Sequence, residues 1–358
     1  MRALRRLCVL ALISLLGCGG PSTAYSPQMP SPLPATAMAS PSPTPTPAIS
    51  STPAPAPTLT PTATPTPLPI STLRGRIVFV RCSLDYSQCD LSSVRPDGSE
   101  RIDLTATPQE LESFPSVAPD GTWLAFACEP GICRMNADGS GRRVLASLGP
   151  GHIPAISPDG QRIAYSGPDG LYVMNADGSE AQRLSARADP STWWRGFPTW
   201  LPSASPLAWS PDGTWIAFGC REGTGNAICL IRSDGSGERV LFSTPGGECC
   251  PAWSPDGRSI AIWQGSGLAM IPVSPSSGRP RGQDFPLNAP YAVAAGHTWS
   301  PDSQSLVIST EVDPISFQPL PRRALWIVRN VQAPFQREEY RLLIQLEDAS
   351  CLSPVWAP

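Results

Sequence analysis

Short apolar runs, separated by clusters of turn residues, recur along the chain from about residue 75 onwards. Runs such as Trp123–Phe126, Ile163–Tyr165 and Trp215–Phe218 are rich in β-branched and aromatic side chains. This composition, together with the alternation of apolar and polar positions, is typical of β-strands. The pattern therefore predicts a chain built from many short strands.

Each early strand follows a copy of one short motif, whose cleanest version is PAWSPDG at Pro251–Gly257. In the fifth copy Ser303 stands where the final glycine is expected. Successive copies lie 39 to 57 residues apart, and this self-similarity predicts a repeat architecture. The copies are the segments 114–121, 153–160, 206–213, 251–257, 297–302 and 354–358.

After each early copy of the first motif come two strands joined by a hairpin, and a second turn motif follows the second of them. An example is Met135–Ser140, which reads MNADGS. In both motifs Asp can hydrogen-bond to its own backbone and Gly accepts a positive φ, so that a tight turn closes. We therefore interpret the aspartates of the first motif as turn residues, because a calcium loop would need more oxygen ligands at fixed spacing. They are Asp120, Asp159, Asp212, Asp256 and Asp302.

A unit of four strands in about 40 to 45 residues is the signature of a propeller blade. The series PxWSPDG, IAF and MNADGSG resembles the motifs of TolB-like propellers, and the resemblance covers residues 75–358. It implies an all-β fold, a six-bladed β-propeller of four-stranded antiparallel blades. Residues 75–105 supply three strands without a preceding motif, whereas 354–358 supply the motif without following strands. We therefore predict that the C-terminal strand joins the N-terminal blade and closes the ring.

The chain ahead of the repeats has a different composition. Residues 21 to 70 hold 16 of the 45 prolines, mixed with Ser, Thr and Ala, and no charged residue. Such a segment cannot bury enough apolar surface to fold, and its prolines favour extended polyproline II. We interpret it as a disordered stalk, with a linker that has no spacing role as the alternative.

The first residues predict export and a lipid anchor. Three arginines precede the apolar run Leu7–Leu16, which is too short to span a bilayer and is typical of a secretory signal. The following Gly17 and Cys18 complete a sequence that resembles the bacterial lipobox, and in that family the cysteine is lipidated. An ordinary signal peptide is the alternative interpretation.

These features divide the chain into three parts. We assign residues 1–17 to a lipoprotein signal peptide, 18–72 to the lipidated cysteine and the stalk, and 73–358 to the propeller. The protein is expected outside the membrane, at the cell surface or in the periplasm. The net charge is −3 and Lys and Arg do not cluster, so nucleic acid is not an expected partner. We expect a monomer without a cofactor.

Six cysteines form three closely spaced pairs, each placed to face itself across the hairpin between the second and third strands of a blade. Facing cysteines lie within bridging distance and exported proteins are oxidised, so three disulfides are predicted, with reduced core cysteines as the alternative. The pairs are Cys82 with Cys89, Cys128 with Cys133, and Cys220 with Cys229.

Three further cysteines follow the signal segment and cannot all pair with one another. Cys249 and Cys250 are adjacent, and Cys351 lies just before the predicted closing strand. A bridge from Cys351 to one of the adjacent pair, and a vicinal bridge between Cys249 and Cys250, both remain open.

The most informative candidate for binding is the long insertion 187–205 between the third and fourth blades, because loops of this length need a reason. Its aromatic and basic side chains can anchor a protein partner or stack on a sugar ring, and the alternative is a plug that folds back over the channel. The candidate residues are Trp193, Trp194, Arg195, Phe197 and Trp200.

His152 and His297 each lie just before an inner strand and are added as candidate binding residues. They fall in opposite blades, too sparse for a catalytic triad, and the spacing that zinc sites use is absent, so no metal site is predicted. GxSxG is also missing, so no catalytic residue is assigned. We therefore expect a binding or scaffold propeller whose partner is a protein or glycan. The alternative is a carbohydrate- or peptide-acting enzyme or sensor with its site at the channel mouth.

Overall fold

The computed structural model describes residues 70–358, apart from 108–109, 150, 189–206, 224, 244–247, 265–266, 275–284, 288–295, 317, 330, 332–339 and 348. Within these residues, 24 strands form six four-stranded antiparallel sheets, which are the blades of a propeller. The predicted all-β, six-bladed fold is confirmed.

In every blade the strands follow one another from the channel outwards. Blade 1 comprises β24 (Ala349–Trp356), β1 (Ile77–Ser83), β2 (Cys89–Val94) and β3 (Ile102–Asp103). Blade 2 comprises β4 (Ser113–Val117), β5 (Trp123–Cys128), β6 (Gly131–Asn136) and β7 (Arg143–Ser147). Blade 3 comprises β8 (Pro154–Ile156), β9 (Arg162–Gly167), β10 (Gly170–Asn175) and β11 (Gln182–Ser185).

The other three blades have the same order. Blade 4 comprises β12 (Leu207–Trp209), β13 (Trp215–Glu222), β14 (Gly225–Arg232) and β15 (Arg239–Ser243). Blade 5 comprises β16 (Glu248–Trp253), β17 (Ser259–Gln264), β18 (Gly267–Pro272) and β19 (Phe285–Leu287). Blade 6 comprises β20 (His297–Trp299), β21 (Ser305–Val312), β22 (Pro319–Arg329) and β23 (Tyr340–Ile344).

The blades stand in a closed ring. The inner strands touch in the order β24, β4, β8, β12, β16, β20 and back to β24. The hydrophobic core is divided accordingly, because each seam between neighbouring blades has its own cluster of buried side chains. At the seam of blades 1 and 2, for example, Val80 and Leu91 pack with Leu124 and Phe126. Each sheet is therefore buried on both faces, which a single blade could not achieve alone.

The ring closes through β24. This strand pairs antiparallel with β1, from Trp356 opposite Ile77 to Ala349 opposite Ser83. It is longer than the five-residue segment expected from the sequence, and Cys351 lies within it rather than before it. The prediction of closure is confirmed, but the expected extent of the closing strand was too short.

The propeller has two faces, which differ in what they carry. The turn face is the end at which the first strand of each blade finishes and the second begins, and at which the third finishes and the fourth begins; in blades 2 to 6 a turn joins the first two strands, whereas in blade 1 they are β24 and β1. The hairpin face carries the hairpins between the second and third strands and the connections from one blade to the next. The segment that precedes β1 lies at the turn face, where the Leu73 N–H donates to the Gly121 carbonyl at 2.8 Å. No helix in the described part of the chain is long and apolar enough to cross a membrane.

The motif aspartates lie in the turns that were predicted for them. The Asp159 carboxylate accepts hydrogen bonds from the Ser157 hydroxyl at 2.5 Å and from the Gln161 N–H at 3.0 Å. The other four motif aspartates make the same backbone contact two residues on, and Gly160 shows why glycine follows, with φ +69°. Ser303 adopts the same left-handed backbone at φ +60°, and its hydroxyl accepts the Asp256 N–H of the neighbouring blade.

All three predicted disulfides are present. Their geometry differs from the expected direct facing in two blades. Cys82 and Cys89 are direct cross-strand partners, whereas Cys128 stands opposite Gly131 and its bridge reaches diagonally to Cys133. The bridge in blade 4 is diagonal in the same way. Side chains offset by two residues share one face of a twisted hairpin, which brings diagonal neighbours within reach.

Candidate binding site at the central channel

The six inner strands surround a channel with a volume of about 410 Å³. Its described lining is made largely of Pro, Ala, Trp and Ser, and contains no Asp, Glu, Lys or Arg. The volume falls in the range of ligand-binding cavities, which are mostly apolar with a few placed polar groups. The channel therefore suits an uncharged occupant, because a buried charge without a partner is costly.

Backbone groups of the inner strands point into this channel in a regular pattern. In an antiparallel ladder, alternate residues direct their N–H and C=O groups away from the paired strand. The Ser157 N–H donates to Arg162 across the ladder, so the N–H of Ile156 points the other way, towards the channel and the neighbouring blade. We call the residue at this position in each inner strand the rim residue. The rim residues are Val117, Ile156, Trp209, Trp253, Trp299 and Trp356.

Two residues before the rim residue, proline occupies the next channel-facing position in four blades. Proline has no N–H, so it removes a donor that would otherwise face the channel, and it is tolerated because an inner strand has a free edge. This accounts for the first residue of the PxW motif. The prolines are Pro115, Pro154, Pro251 and Pro354.

The side chain of the residue immediately before the rim residue decides which group the rim N–H of the next blade contacts. Ser116 accepts the Ile156 N–H at 2.9 Å, and Thr298 accepts the Trp356 N–H at 3.2 Å. Ala155, the equivalent residue of blade 3, has no side-chain oxygen. The channel wall thus differs chemically around the ring.

Indole groups add a second link between blades. The Trp209 indole N–H donates to the Ala155 carbonyl at 2.9 Å, and the Trp299 indole N–H donates to the Ala252 carbonyl at 3.0 Å. The indole nitrogen of Trp253 is buried and has no hydrogen-bond partner within the described part of the chain. The seam between blades 4 and 5 therefore lacks the link that its neighbours have.

Strained backbone surrounds the mouth of the channel on the hairpin face. Phe114, Cys250 and Ser353 each lie three residues before a rim residue, have φ values of 49°, 66° and 43°, and line the channel. Each marks an irregularity in the pairing of its strand. Such bulges redirect side chains, and strained residues of this kind concentrate at functional sites. The hairpin-face mouth is therefore the part of the channel best suited to recognition.

The two histidines are not brought together. His297 lines the channel in blade 6, where its Nε2 lies 3.3 Å from the Ala261 carbonyl oxygen. Burial lowers its pKa to about 4, so the ring is neutral at pH 7. His152 lies in blade 3, and its two ring nitrogens lie 2.6 Å and 3.1 Å from the carbonyl oxygens of Ser166 and Leu148. Each ring is held by backbone of the fold.

The predicted aromatic insertion lies outside the described residues, and so does the predicted lipidation site Cys18. The chain leaves the described part at Ala188 and re-enters it at Leu207, both at the hairpin face. The roles of the insertion residues stay predictions. These residues are Trp193, Trp194, Arg195, Phe197 and Trp200.

Cys250 is engaged in a disulfide as well. The side chains of Cys249 and Cys351, the two partners that the sequence suggests, lie outside the described residues. Among the side chains that are described, no group of three or more His, Cys, Asp and Glu is arranged to hold a metal ion.

Sequence reasoning missed the features that distinguish one part of the channel wall from another. The residue immediately before the rim residue is Ser, Ala, Ala, Ala, Thr and Val from blade 2 round to blade 1. That series was visible in the motif copies and would have located the hydroxyl contacts. The bulges at Phe114 and Cys250 carry no such signal, because neither residue type favours a positive φ.

Sequence comparison finds short matches to peptidase-related proteins. Residues 134–222 match the family described as the dipeptidyl peptidase IV N-terminal region. A stretch of 55 residues is 42% identical to the uncharacterized peptidase YuxL of Bacillus subtilis (strain 168), covering 15% of this chain and 8% of the peptidase. The chain thus spans a small part of the length of the curated relative that it matches.

Structural comparison finds propellers at low sequence identity. TolB from Acinetobacter baumannii superposes with a TM-score of 0.61 at 18% identity, covering 79% of this chain and 67% of that one. A putative TolB from Agrobacterium tumefaciens gives 0.52 at 18% identity, covering 77% and 91%. A chain of a nidogen/laminin complex gives 0.58 at 11% identity, covering 78% and 98%. The chain therefore has a TolB-like propeller fold.

Proposed function

We propose that this protein is a membrane-anchored, extracytoplasmic binding scaffold whose recognition surface is the hairpin-face mouth of the channel. The observation that carries the proposal is a channel whose described lining has no Asp, Glu, Lys or Arg, with strained bulges at Phe114, Cys250 and Ser353 around one mouth. The aromatic insertion is joined to the same face. Aromatic residues and Arg are enriched among the residues that dominate binding energy.

The location outside the cytoplasm rests on two features. Disulfides persist in oxidising compartments, and three of them occupy hairpins of blades 1, 2 and 4. The lipobox-like sequence ending at Cys18 supplies the anchor. Metabolic labelling with a radioactive fatty acid tests this directly. We expect label in the wild type and none in Cys18→Ala, and equal labelling of the two would remove the anchor from the proposal.

The binding role is tested by crosslinking and mass spectrometry on the lipidated, full-length protein in cells. A triple variant, Trp193→Ala, Trp194→Ala and Trp200→Ala, is compared with the wild type. We expect a reproducible crosslinked partner that the triple variant loses. The matched control is Leu342→Ala combined with an expression check, because Leu342 is an exposed apolar side chain on β23, the outer strand of blade 6. Absence of any reproducible partner of the wild type would count against a scaffold.

A second function, an enzyme or sensor acting on a peptide or polysaccharide, is favoured by the matches to peptidase-related proteins. In this case the channel mouth would hold the substrate. Purified protein is incubated with a panel of peptides and glycans, and both binding and turnover are measured. Turnover that is lost in the triple Trp variant would favour this function over the scaffold, whereas neither binding nor turnover would exclude it.

A further inference from the structure

The channel wall is divided by the residue that precedes each rim residue. On blades 2 and 6 this residue is Ser116 or Thr298, and its hydroxyl is bonded to the rim N–H of the next blade. On blades 3, 4 and 5 it is alanine. Three consecutive alanines therefore line one side of the ring, and we call Ala155, Ala208 and Ala252 the alanine wall.

The alanine wall leaves three backbone donors directed at the channel. The N–H groups of Trp209, Trp253 and Trp299 point away from their own ladders, because Ser210, Ser254 and Ser300 donate across those ladders at 2.8 Å. The position that Ser116 and Thr298 fill with a hydroxyl beside the rim N–H of the next blade holds an alanine methyl group beside each of these three N–H groups. The donors come from three adjacent strands at the same level of the ring.

The chemistry of an occupant follows from these donors and from the rest of the lining. Three N–H donors on one side suit a ligand that presents oxygen acceptors. An ionised group is disfavoured because none of the described lining residues supplies a counter-charge, and His297 is neutral. A sugar would bury a hydroxyl at nearly every carbon, while the hydroxyls of Ser116 and Thr298 are already engaged. A peptide rich in proline offers carbonyl acceptors, apolar rings and few N–H groups.

We infer that the alanine wall binds an uncharged, extended, proline-containing segment of a protein partner through the N–H groups of Trp209, Trp253 and Trp299. Aromatic side chains and apolar walls are the surroundings in which polyproline II segments are recognised elsewhere. The inference rests on the proposed binding function, and it names the chemical class of the segment that is bound. The donors lie three residues further along the inner strands than the bulges at the hairpin-face mouth, so the segment would enter at that mouth and reach towards the turn face.

The test uses full-length protein and two synthetic octapeptides with blocked ends. One alternates Pro and Ala, and the other carries Glu at two of the Ala positions. Calorimetry is expected to show at least tenfold tighter binding of the neutral peptide. Equal binding of the two peptides, or tighter binding of the acidic one, overturns the inference.

Two reciprocal substitutions test the donors themselves. Ala208→Ser places a hydroxyl beside the Trp253 N–H and is expected to weaken peptide binding about fivefold and to slow hydrogen exchange of that amide. Ser116→Ala frees the Ile156 N–H and is expected to leave binding unchanged or tighter. If Ala208→Ser slows exchange at Trp253 but leaves binding unchanged, the donors are not part of the site and the inference fails.

A blocking variant tests the location. Ala208→Phe fills the channel and is expected to abolish peptide binding, whereas Val144→Phe, on the exposed part of β7, is expected to bind normally. If Ala208→Phe does not fold, the reciprocal pair decides alone. If no peptide binds to folded protein while the crosslinked partner is still recovered, the channel inference fails and the scaffold stands. If both are absent, both fail.

Discussion

On the turn face, the described turns of the first motif share one conformation, in which Asp accepts the N–H two residues on and the following residue has a positive φ. On the hairpin face, the connections between strands differ in length from blade to blade. The turn-face aspartates make their hydrogen bonds within their own turns, as Asp159 does with Ser157 and Gln161. The hairpin face carries the disulfides and the strained bulges, and the described chain on either side of the aromatic insertion, Ala188 and Leu207, ends there. The difference indicates that one face specifies the fold and the other is available for recognition. Changes on the two faces should therefore have separable effects on stability and binding.

The largest effect on stability is expected from removing β24, the strand that closes the ring. Deleting residues 349–358 removes β24, so the inner edge of β1 and two seams lose their cover. A domain's net stability is only about 5–15 kcal/mol, and we expect the cooperative thermal transition to disappear. Scanning calorimetry provides the measurement, with deletion of the exposed Pro358 alone as the control. A truncated protein that keeps its melting temperature within a few degrees would contradict closure by this strand.

His297, which lines the channel, makes the stability of the propeller depend on pH. Its pKa is lowered from 6.5 to about 4 in the native state, so between these values the unfolded chain takes up a proton that the folded protein does not. The free energy of unfolding therefore rises with pH across this window, by at most about 3 kcal/mol. We expect urea unfolding curves to show this rise in the wild type and a smaller one in His297→Gln. An identical slope in the two proteins would show that other groups carry it.

Removing a disulfide measures how much the hairpin face contributes to the free energy of unfolding. Replacing Cys128 and Cys133 by Ser in the same chain opens one hairpin, and the loop-entropy account predicts a loss of about 2 kcal/mol for so short a loop. The urea midpoint measures the loss. Replacing Cys220 and Cys229 in the same way gives a matched comparison, since that bridge is also diagonal. A loss in one blade alone would mean that strain or packing outweighs the loop entropy.

The smallest effect is expected from a single turn. Asp159→Ala removes the acceptor of two hydrogen bonds and should cost about 1 kcal/mol without changing partner binding. These bonds hold the pKa of Asp159 below its usual value, so its contribution is present at neutral pH and is lost as the pH falls through that lowered pKa. Glu129→Ala, at an exposed position in the blade 2 hairpin, serves as the control. Loss of binding in Asp159→Ala would contradict the separation of the two faces.

The repeating features of the fold were accessible from sequence because each is encoded locally. Pro, Asp and Gly at fixed positions specify the turns, and the count of motif copies gives the number of blades. The pairing of Cys128 with Cys133 followed from their positions on either side of one hairpin. A motif without following strands at residues 354–358 was enough to predict closure.

The candidate site was much less predictable, because it depends on contacts between blades. Whether the Ile156 N–H meets a hydroxyl depends on Ser116, a residue of the previous blade about one repeat away. The positive φ of Phe114 reflects the fit of a whole strand against its neighbours rather than the preference of Phe. The burial of His297, which sets its pKa, likewise arises from strands far away in the sequence.

The pairing of β24 with β1 in blade 1 has a consequence for biosynthesis. β1 leaves the ribosome before any other strand of the propeller, and its inner partner β24 is synthesised after all of them. Until β24 arrives, the uncovered edge of β1 is a template for pairing with other chains. Premature arrest of translation therefore yields an open, association-prone array rather than a smaller propeller, and completion of synthesis becomes the step that commits the molecule to its native state.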